Sequence, residues 1–348
     1  AYPIMKKTLR HYAHRYFIIA LNGMALGLFS SLIIGLIIAQ VGKLLGVPAL
    51  EQIAAVFGAT SPVVGAAIGV GIAATLQAKP MVIFSTAAAG AVGYAYGGPV
   101  GAYLAGLIGT EIGGLVAQKT KVDILVTPFV TIVSGGLIAL LIGPGIQEMM
   151  LWLGNVINQA TELEPFWMGI TLAVLVGMIL TAPISSAAIC IMLGLSGLAA
   201  GAATVGCCAQ MVGFAVLSYK DNGWGTALSI GIGTSMLQFA NILKRPMIWL
   251  PPIIASAILG PISTLVVQFT NIPAAAGMGT SGLVGVIGLY VDMSDTVPPL
   301  LLIGEIVVLC VLVPGFLSWG FGRIFYRLHW IRPGDLRLPE VSSLAQKK

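Results

Sequence analysis

The sequence predicts an all-α polytopic membrane protein, and three observations carry that reading. Of the 348 residues, 57% are hydrophobic and only 8% charged, where soluble domains hold roughly 25% charged residues. From Pro165 to Tyr219, 55 consecutive residues include no Asp, Glu, Lys, Arg or His. A spanning helix needs about 20 apolar residues, so this run alone holds more than one. The 45 glycines suit helices that approach closely in lipid, where the hydrophobic effect does not hold them together. A soluble chain of this size could not cover its surface with so few polar groups. The chain reads as a single membrane domain, 1–348. It divides into a cytoplasmic N-terminal segment, 1–16, a transmembrane region, 17–322, and a cytoplasmic tail, 323–348.

Taken in order, the first crossing lies at 17–41, between Arg15 and Lys43. A second uncharged run, 52–78, is interrupted at GATSP, 58–62, and ends at Lys79. The run 80–110 carries Gly-Gly-Pro at 97–99, a turn signal, so one helix precedes it and another follows, ending near Lys119 and Lys121. Residues 124–144 form a further crossing, left by Gly-Pro-Gly at 143–145. The run 165–219 divides into three, 166–181, 184–200 and 203–218. Segment 223–240 lies between Lys220–Asp221 and Lys244–Arg245. Both its ends therefore fall on one side, as in a re-entrant hairpin. Crossing 247–269 follows, then the glycine-rich 271–291 as a second re-entrant candidate, and a last span at 297–321. The expectation is about ten transmembrane helices with two re-entrant hairpins.

Charge sets the orientation. The basic residues cluster between apolar runs and at the ends, including Lys6, Lys7, Arg10 and Arg15 before the first span and Arg323, Arg327, Arg332 and Arg337 after the last. Glu148, Glu162 and Glu164 stand together with no basic neighbour. The positive-inside rule then places both termini in the cytoplasm of a multi-pass protein of the cell inner (plasma) membrane. The net charge of +5 is a topology signal and implies no nucleic-acid partner. Cys190, Cys207, Cys208 and Cys310 have no CxxC spacing, and no metal, cofactor or catalytic motif is expected. No segment is long and polar enough to fold as a soluble domain, so any energising domain is expected on another polypeptide.

Two carboxylates and one break are the candidate sites. Glu305 lies inside LLLIGEIVVLC, where an acidic side chain at the bilayer centre costs about 2.5–3.5 kcal/mol even on insertion scales. It is expected to face a polar cavity, to be protonated, or to pair. Glu111 lies two helical turns before Lys119 and is either a structural partner or a solute contact. In ILTAPISSAAICI, 179–191, Pro183 interrupts an apolar run among Thr181, Ser185 and Ser186. Such a break suits either a helix kink or a substrate-lined pathway.

The stretches GPVGAYLAGLIGTEIGGLVAQ, 98–118, and TKVDILVTPFVTIVSGGLIALLIGPGIQ, 120–147, resemble membrane segments of fructose-type phosphotransferase-system permeases, the EIIC subunits. The closer resemblance, over roughly 17–325, is to a divergent EIIC-like branch grouped with toxin regulators of the PfoR type. In those permeases a sugar-site helix carries acidic and lysine residues around a proline. Here Pro183 is retained, while Thr181, Ala182, Ser185 and Ser186 replace the charged positions. The resemblance implies an elevator-type fold with a scaffold and a moving part, a homodimer, and phosphotransfer only through separate EIIB-type and EIIA-type proteins. The implied function is a permease for a small polar or sugar-like solute. The alternatives are a membrane-embedded sensor or regulator that keeps the fold, and a transporter without phosphotransfer.

The orientation is testable in a cysteine-free background carrying one cysteine at a time. Membrane-impermeant thiol reagent applied to intact cells is expected to label position 155 and to leave position 335 unlabelled. The reverse pattern would overturn the orientation.

Overall fold

The structure, a computed structural model, describes residues 11–58 and 60–338. Lys6, Lys7 and Arg10, and the end of the tail, lie outside the described residues. The described residues form two compact units, one of 11–58 with 60–149 and one of 150–338. The described residues are essentially all helical. Six helical stretches are long and apolar enough to cross a membrane: His11–Lys43, Pro80–Val116, Asp123–Thr161, Gly197–Gly233, Pro246–Val267 and Pro299–Arg327.

The first unit contains α1 (His11–Lys43), α2 (Pro48–Ala55), α3 (Pro62–Thr75), α4 (Pro80–Val116) and the first part of α5 (Asp123–Thr161). Proline opens α2, α3 and α4 because the first turn of a helix has no use for its missing N–H. Helical backbone continues almost unbroken through α4, yet α4 is two antiparallel arms. Gly98 adopts φ +58°, a conformation open to glycine and costly for other residues. Lys79 Nζ at the start of the first arm donates to Ala117 O at the end of the second, at 2.9 Å. Gly93 and Gly101 touch across the reversal. The helix-turn-helix expected around Gly-Gly-Pro is therefore what forms.

Gly-Pro-Gly at 143–145 behaves differently. The exit turn expected there is absent, and α5 runs through it to Thr161. Gly143 packs against Tyr96, and Ile146 fills the space beside Gly97. Close approach, not chain reversal, is what Gly143 serves. A proline within a membrane helix is tolerated when neighbouring groups re-satisfy the freed backbone.

The second unit holds α6 (Pro165–Thr181), α7 (Ser186–Leu193), α8 (Gly197–Leu228), α9 (Phe239–Lys244), α10 (Pro246–Val267), α11 (Pro273–Ala276), α12 (Val284–Met293) and α13 (Pro299–Arg327). Its axis is the first part of α8. Residues 197–222 are straight helix of about 39 Å at 1.5 Å per residue, and α8 is the most enclosed of the six long helices. α10 packs antiparallel to it, with Ser256 Oγ 3.4 Å from Gly206 O. α6, which also packs on α10 through Gly169 and Gly260, runs parallel to α8, bringing Ala173 against Gly206 and Gly177 against Gly206 and Gln210.

Three hairpins enter against this axis. In the first, α6 ends at Thr181 beside Gln210, midway along α8, and the short α7 returns to the start of α8. Eight residues of helix span about 12 Å, so α7 reaches half the depth of a bilayer. The three crossings expected at 166–181, 184–200 and 203–218 are thus one hairpin and one long helix. Left-handed Gly194 (φ +60°) and Gly197 (φ +63°) make the second reversal.

The second hairpin begins at Gly223 (φ +80°), continues through a π-type turn, Ser229–Gly233, and a 3-10 turn, Ser235–Gln238, and closes with α9. Both ends return to one place. Asn222 Nδ2 and Gln238 Nε2 donate to the same carbonyl of Leu336, at 2.7 and 2.9 Å, and Asn241 Nδ2 donates to Arg337 O at 3.1 Å. The third hairpin comes from the opposite end of α8. Asn271 pairs with Gly197 through two backbone hydrogen bonds, and Thr270 Oγ1 donates to Asp292 Oδ2 at 2.6 Å across its mouth. Its tip, 277–283, reaches α8 at Gly279, which sits on the backbone of Cys207 and Cys208.

Gly206 tests this packing. A Cβ there would overlap the backbone of Ala173, and overpacking costs about 1–3 kcal/mol or more when backbone cannot move. Gly206→Val is expected to lower the melting temperature of the purified protein by several degrees. Gly304→Ala, with open space around it, is expected to leave it unchanged.

Candidate functional site

The three hairpin tips converge on the middle of α8, and the convergence is polar. The first tip exists because of Pro183. A residue before proline is steered out of the helical region, and Ala182 accordingly turns to φ −71°, ψ 160°. This frees Thr181 at the end of α6, where its fully buried hydroxyl lies 2.8 Å from Ser235 Oγ on the second tip and 3.2 Å from Gln210 Oε1 on α8. Trp249 Nε1 also donates to Gln210 Oε1, at 2.9 Å. Indole N–H is only a donor, so it fixes which end of the Gln210 amide faces this cluster. Thr181 then donates to Gln210 and accepts from Ser235.

Gln210 Nε2 is left pointing elsewhere. It is buried and has no hydrogen-bond partner among the described residues. An unsatisfied buried donor costs about 1–3 kcal/mol, so a group that accepts from it gains that much. The rest of the seam is satisfied internally. Ser186 Oγ donates to Gly277 O at 2.7 Å, joining the first tip to the third. Ser281 Oγ donates to Gly233 O at 2.7 Å and Thr280 Oγ1 to Gly231 O, joining the third to the second. Asn271 Nδ2 donates to Thr204 Oγ1 at 2.8 Å and to Gly285 O at 3.0 Å, tying the third hairpin to α8.

Of the residues singled out in the sequence, Thr181 and Ser186 lie in this seam, and Pro183 and Ser185 form the half-buried turn between them. Glu111 and Glu305 take no part in its hydrogen bonds. Glu111, in the first unit, accepts from Arg15 Nε at 3.0 Å and from its terminal nitrogen at 2.7 Å. Its partner is Arg15 and not Lys119, because the second arm of α4 brings it to α1. Glu305 lies half-buried on α13 with no hydrogen bond or ion pair among the described residues, flanked by exposed Leu301 and Val308.

Gln210, Ser235, Trp249 and Asn271 were not legible as site residues. One signal existed, since Gln210 is the sole amide side chain in the uncharged run 165–219. All the seam's hydrogen-bonding side chains are neutral and do not titrate near pH 7. They can hold hydroxyl groups, but they cannot act as acid or base. No group of three His, Cys, Asp or Glu suited to a metal occurs among the described residues.

The Arg15–Glu111 pair gives a quantitative check. Both side chains are about a third exposed (30% and 32%), and pairs of that kind contribute about 0–1 kcal/mol. A double-mutant cycle of Arg15→Gln and Glu111→Gln, read by thermal unfolding, is expected to give a coupling no larger than about 1 kcal/mol. A coupling several times larger would mark the pair as enclosed in the assembled protein.

Comparison with known proteins places the chain. Residues 18–338 match the family model described as "Phosphotransferase system, EIIC". No curated protein and no solved structure matches. With nearly the whole chain inside the match, this protein belongs to the EIIC family of phosphotransferase-system membrane permeases.

Proposed function

We propose that the chain is the permease subunit for a small polar or sugar-like solute, and that the solute is held where the three hairpin tips meet. The observation that carries this reading is Gln210 Nε2, a buried donor without a partner in a seam of neutral hydroxyl and amide groups. Interrupted helices at mid-membrane are where many transporters bind their solutes. Thr181, Gln210 and Ser235 contact solute hydroxyls in this proposal, while Pro183, Ser185 and Ser186 shape the turn. Glu111 is a structural partner of Arg15. Glu305, half-buried on α13 beside exposed Leu301 and Val308, meets a second copy of the chain in a homodimer.

The same reading gives eight crossings in place of ten: α1, α3, the two arms of α4, α5, α8, α10 and α13. The three hairpins are re-entrant. This count leaves Lys79, Lys119, Lys220 and Lys244 on one side with both termini, and Glu148, Glu162 and Asp292 on the other, as the positive-inside rule asks. The second unit, with its hairpins, is the moving part of an elevator within one membrane domain. A separate EIIB-type protein supplies any phosphoryl group. Within the family, the motifs at 98–118 and 120–147 support a divergent EIIC-like branch of the PfoR type related to the fructose-type permeases.

The test is exchange of radiolabelled hexoses and hexitols by the full chain in proteoliposomes. Wild type is expected to exchange at least one, and Gln210→Leu, assayed well below its melting temperature because the change also strips Thr181 and Trp249 of their acceptor, is expected to raise the half-saturation concentration at least tenfold. Thr181→Val should weaken binding less. Glu111→Gln should leave exchange unchanged. Folded wild type that binds a solute without exchanging it would support the sensor reading. Binding unaffected by Gln210→Leu would remove the seam as the site.

A further inference from the structure

A cavity in the second unit is separate in character from the polar seam. It is a groove of 1130 Å³ between α8, the second hairpin and α13, larger than the roughly 300–1,000 Å³ of ordinary small-molecule pockets. Its floor is aliphatic, with Val216 on α8, Ile232 on the hairpin and Val311 on α13. α8 and α13 run in parallel here, with Gly213 against Ser318 and Leu217 against Gly322. The side chains that follow on both helices therefore fall at one end of the groove, and they are Lys220, Arg323 and Arg327.

The charge at that end is unbalanced. Lys220, Arg323 and Arg327 form no ion pair among the described residues. Asp221, the one carboxylate lining the groove, accepts from the backbone N–H groups of Gly334 and Leu336. The Arg323 guanidinium lies 5.3 Å from the centroid of the Trp319 ring. Trp224, also at this end, is 71% exposed, and tryptophan and basic residues together mark the membrane–water interface. An apolar floor running to a cationic, aromatic rim matches an amphiphile with an anionic head, and does not match a polar solute.

We infer that this groove seats one anionic phospholipid from the bilayer, its phosphate on Arg323, Arg327 and Lys220 and an acyl chain along Val216, Ile232 and Val311. The inference rests on the membrane-spanning fold and is independent of whether the seam binds a solute. The inner end of the groove is formed by Gly231 and Thr280, from the second and third hairpin tips, so a seated chain touches the elements that close the seam.

The experiment uses the full chain, delipidated in neutral detergent, with lipid retention read by native mass spectrometry. Dioleoyl phosphatidylglycerol is expected to remain bound at one per chain, with at least tenfold preference over dioleoyl phosphatidylcholine. Arg323→Gln with Arg327→Gln should abolish the preference, and Arg323→Lys with Arg327→Lys should keep it. Ile232→Trp, which fills the floor and leaves the cations, should also reduce retention at least tenfold. Equal retention of the two lipids by wild type would overturn the proposal, as would full retention by Ile232→Trp. Displacement of the lipid by millimolar glycerol 1-phosphate would assign the cations to a free phosphate and equally reject the lipid. If the glutamine pair fails to fold, the wild-type preference and the Ile232→Trp result decide.

Discussion

A backbone that leaves the helix inside a bilayer must still satisfy every N–H and C=O, because hydrocarbon offers no partner. The second unit of this protein is organised around that constraint. It stops being helical three times at the level of the middle of α8, and carbonyls of the second and third stops are met by short side chains from another stop. Ser186 takes the carbonyl of Gly277, Ser281 that of Gly233, and Thr280 that of Gly231. Thr234 accepts from Met236 N–H within its own tip. The first tip bonds its own backbone and reaches the others through Thr181 and Ser186, so the three are linked as a set.

The same set depends on backbone contact, which explains where the glycines are. Gly169 meets Gly260, Gly206 meets Ala173, and Gly201 meets the backbone of Phe269. These contacts pull α6, α10 and the third hairpin onto α8 closely enough for Thr, Ser and Asn to span the remaining gap. A longer polar side chain could bridge a wider gap, but it would bring more rotamer entropy to lose. Gln210 is the exception, a long amide held by Trp249 and Thr181 on its oxygen only.

Breaks were legible in the sequence, but directions were not. Pro183, Gly-Gly-Pro at 97–99 and the neutral segment 223–240 each announced an interruption, and the flanking lysines indicated that 223–240 returns to its own side. Hydropathy is blind to whether the chain reverses after a break, so 184–200 read as a crossing when α7 turns back after eight residues. Gly-Pro-Gly at 143–145 has the composition of a turn and the role of a packing contact, and only the presence of Tyr96 distinguishes them. Glu111 and Glu305 were legible as costly carboxylates. Arg15, 96 positions away from Glu111, could not be found from spacing on one helix.

The neutrality of the seam also bears on movement. In the proposed permease reading, the tips change their exposure from one side of the membrane to the other during a cycle. A charged solute site would carry its desolvation cost through the membrane, and an ion in hydrocarbon costs several kcal/mol even after relaxation. Hydroxyl and amide groups that bond one another when the site is closed, and bond solute or water when it is open, exchange partners at about 0.5–1.5 kcal/mol each. In that reading, the neutral Thr181, Ala182, Ser185 and Ser186 around Pro183, where the resembled permeases carry charges, trade strength of solute binding for a lower barrier to closing the seam. The one donor that closure leaves unmatched, Gln210 Nε2, then biases the seam toward the state in which a solute hydroxyl is present to accept from it.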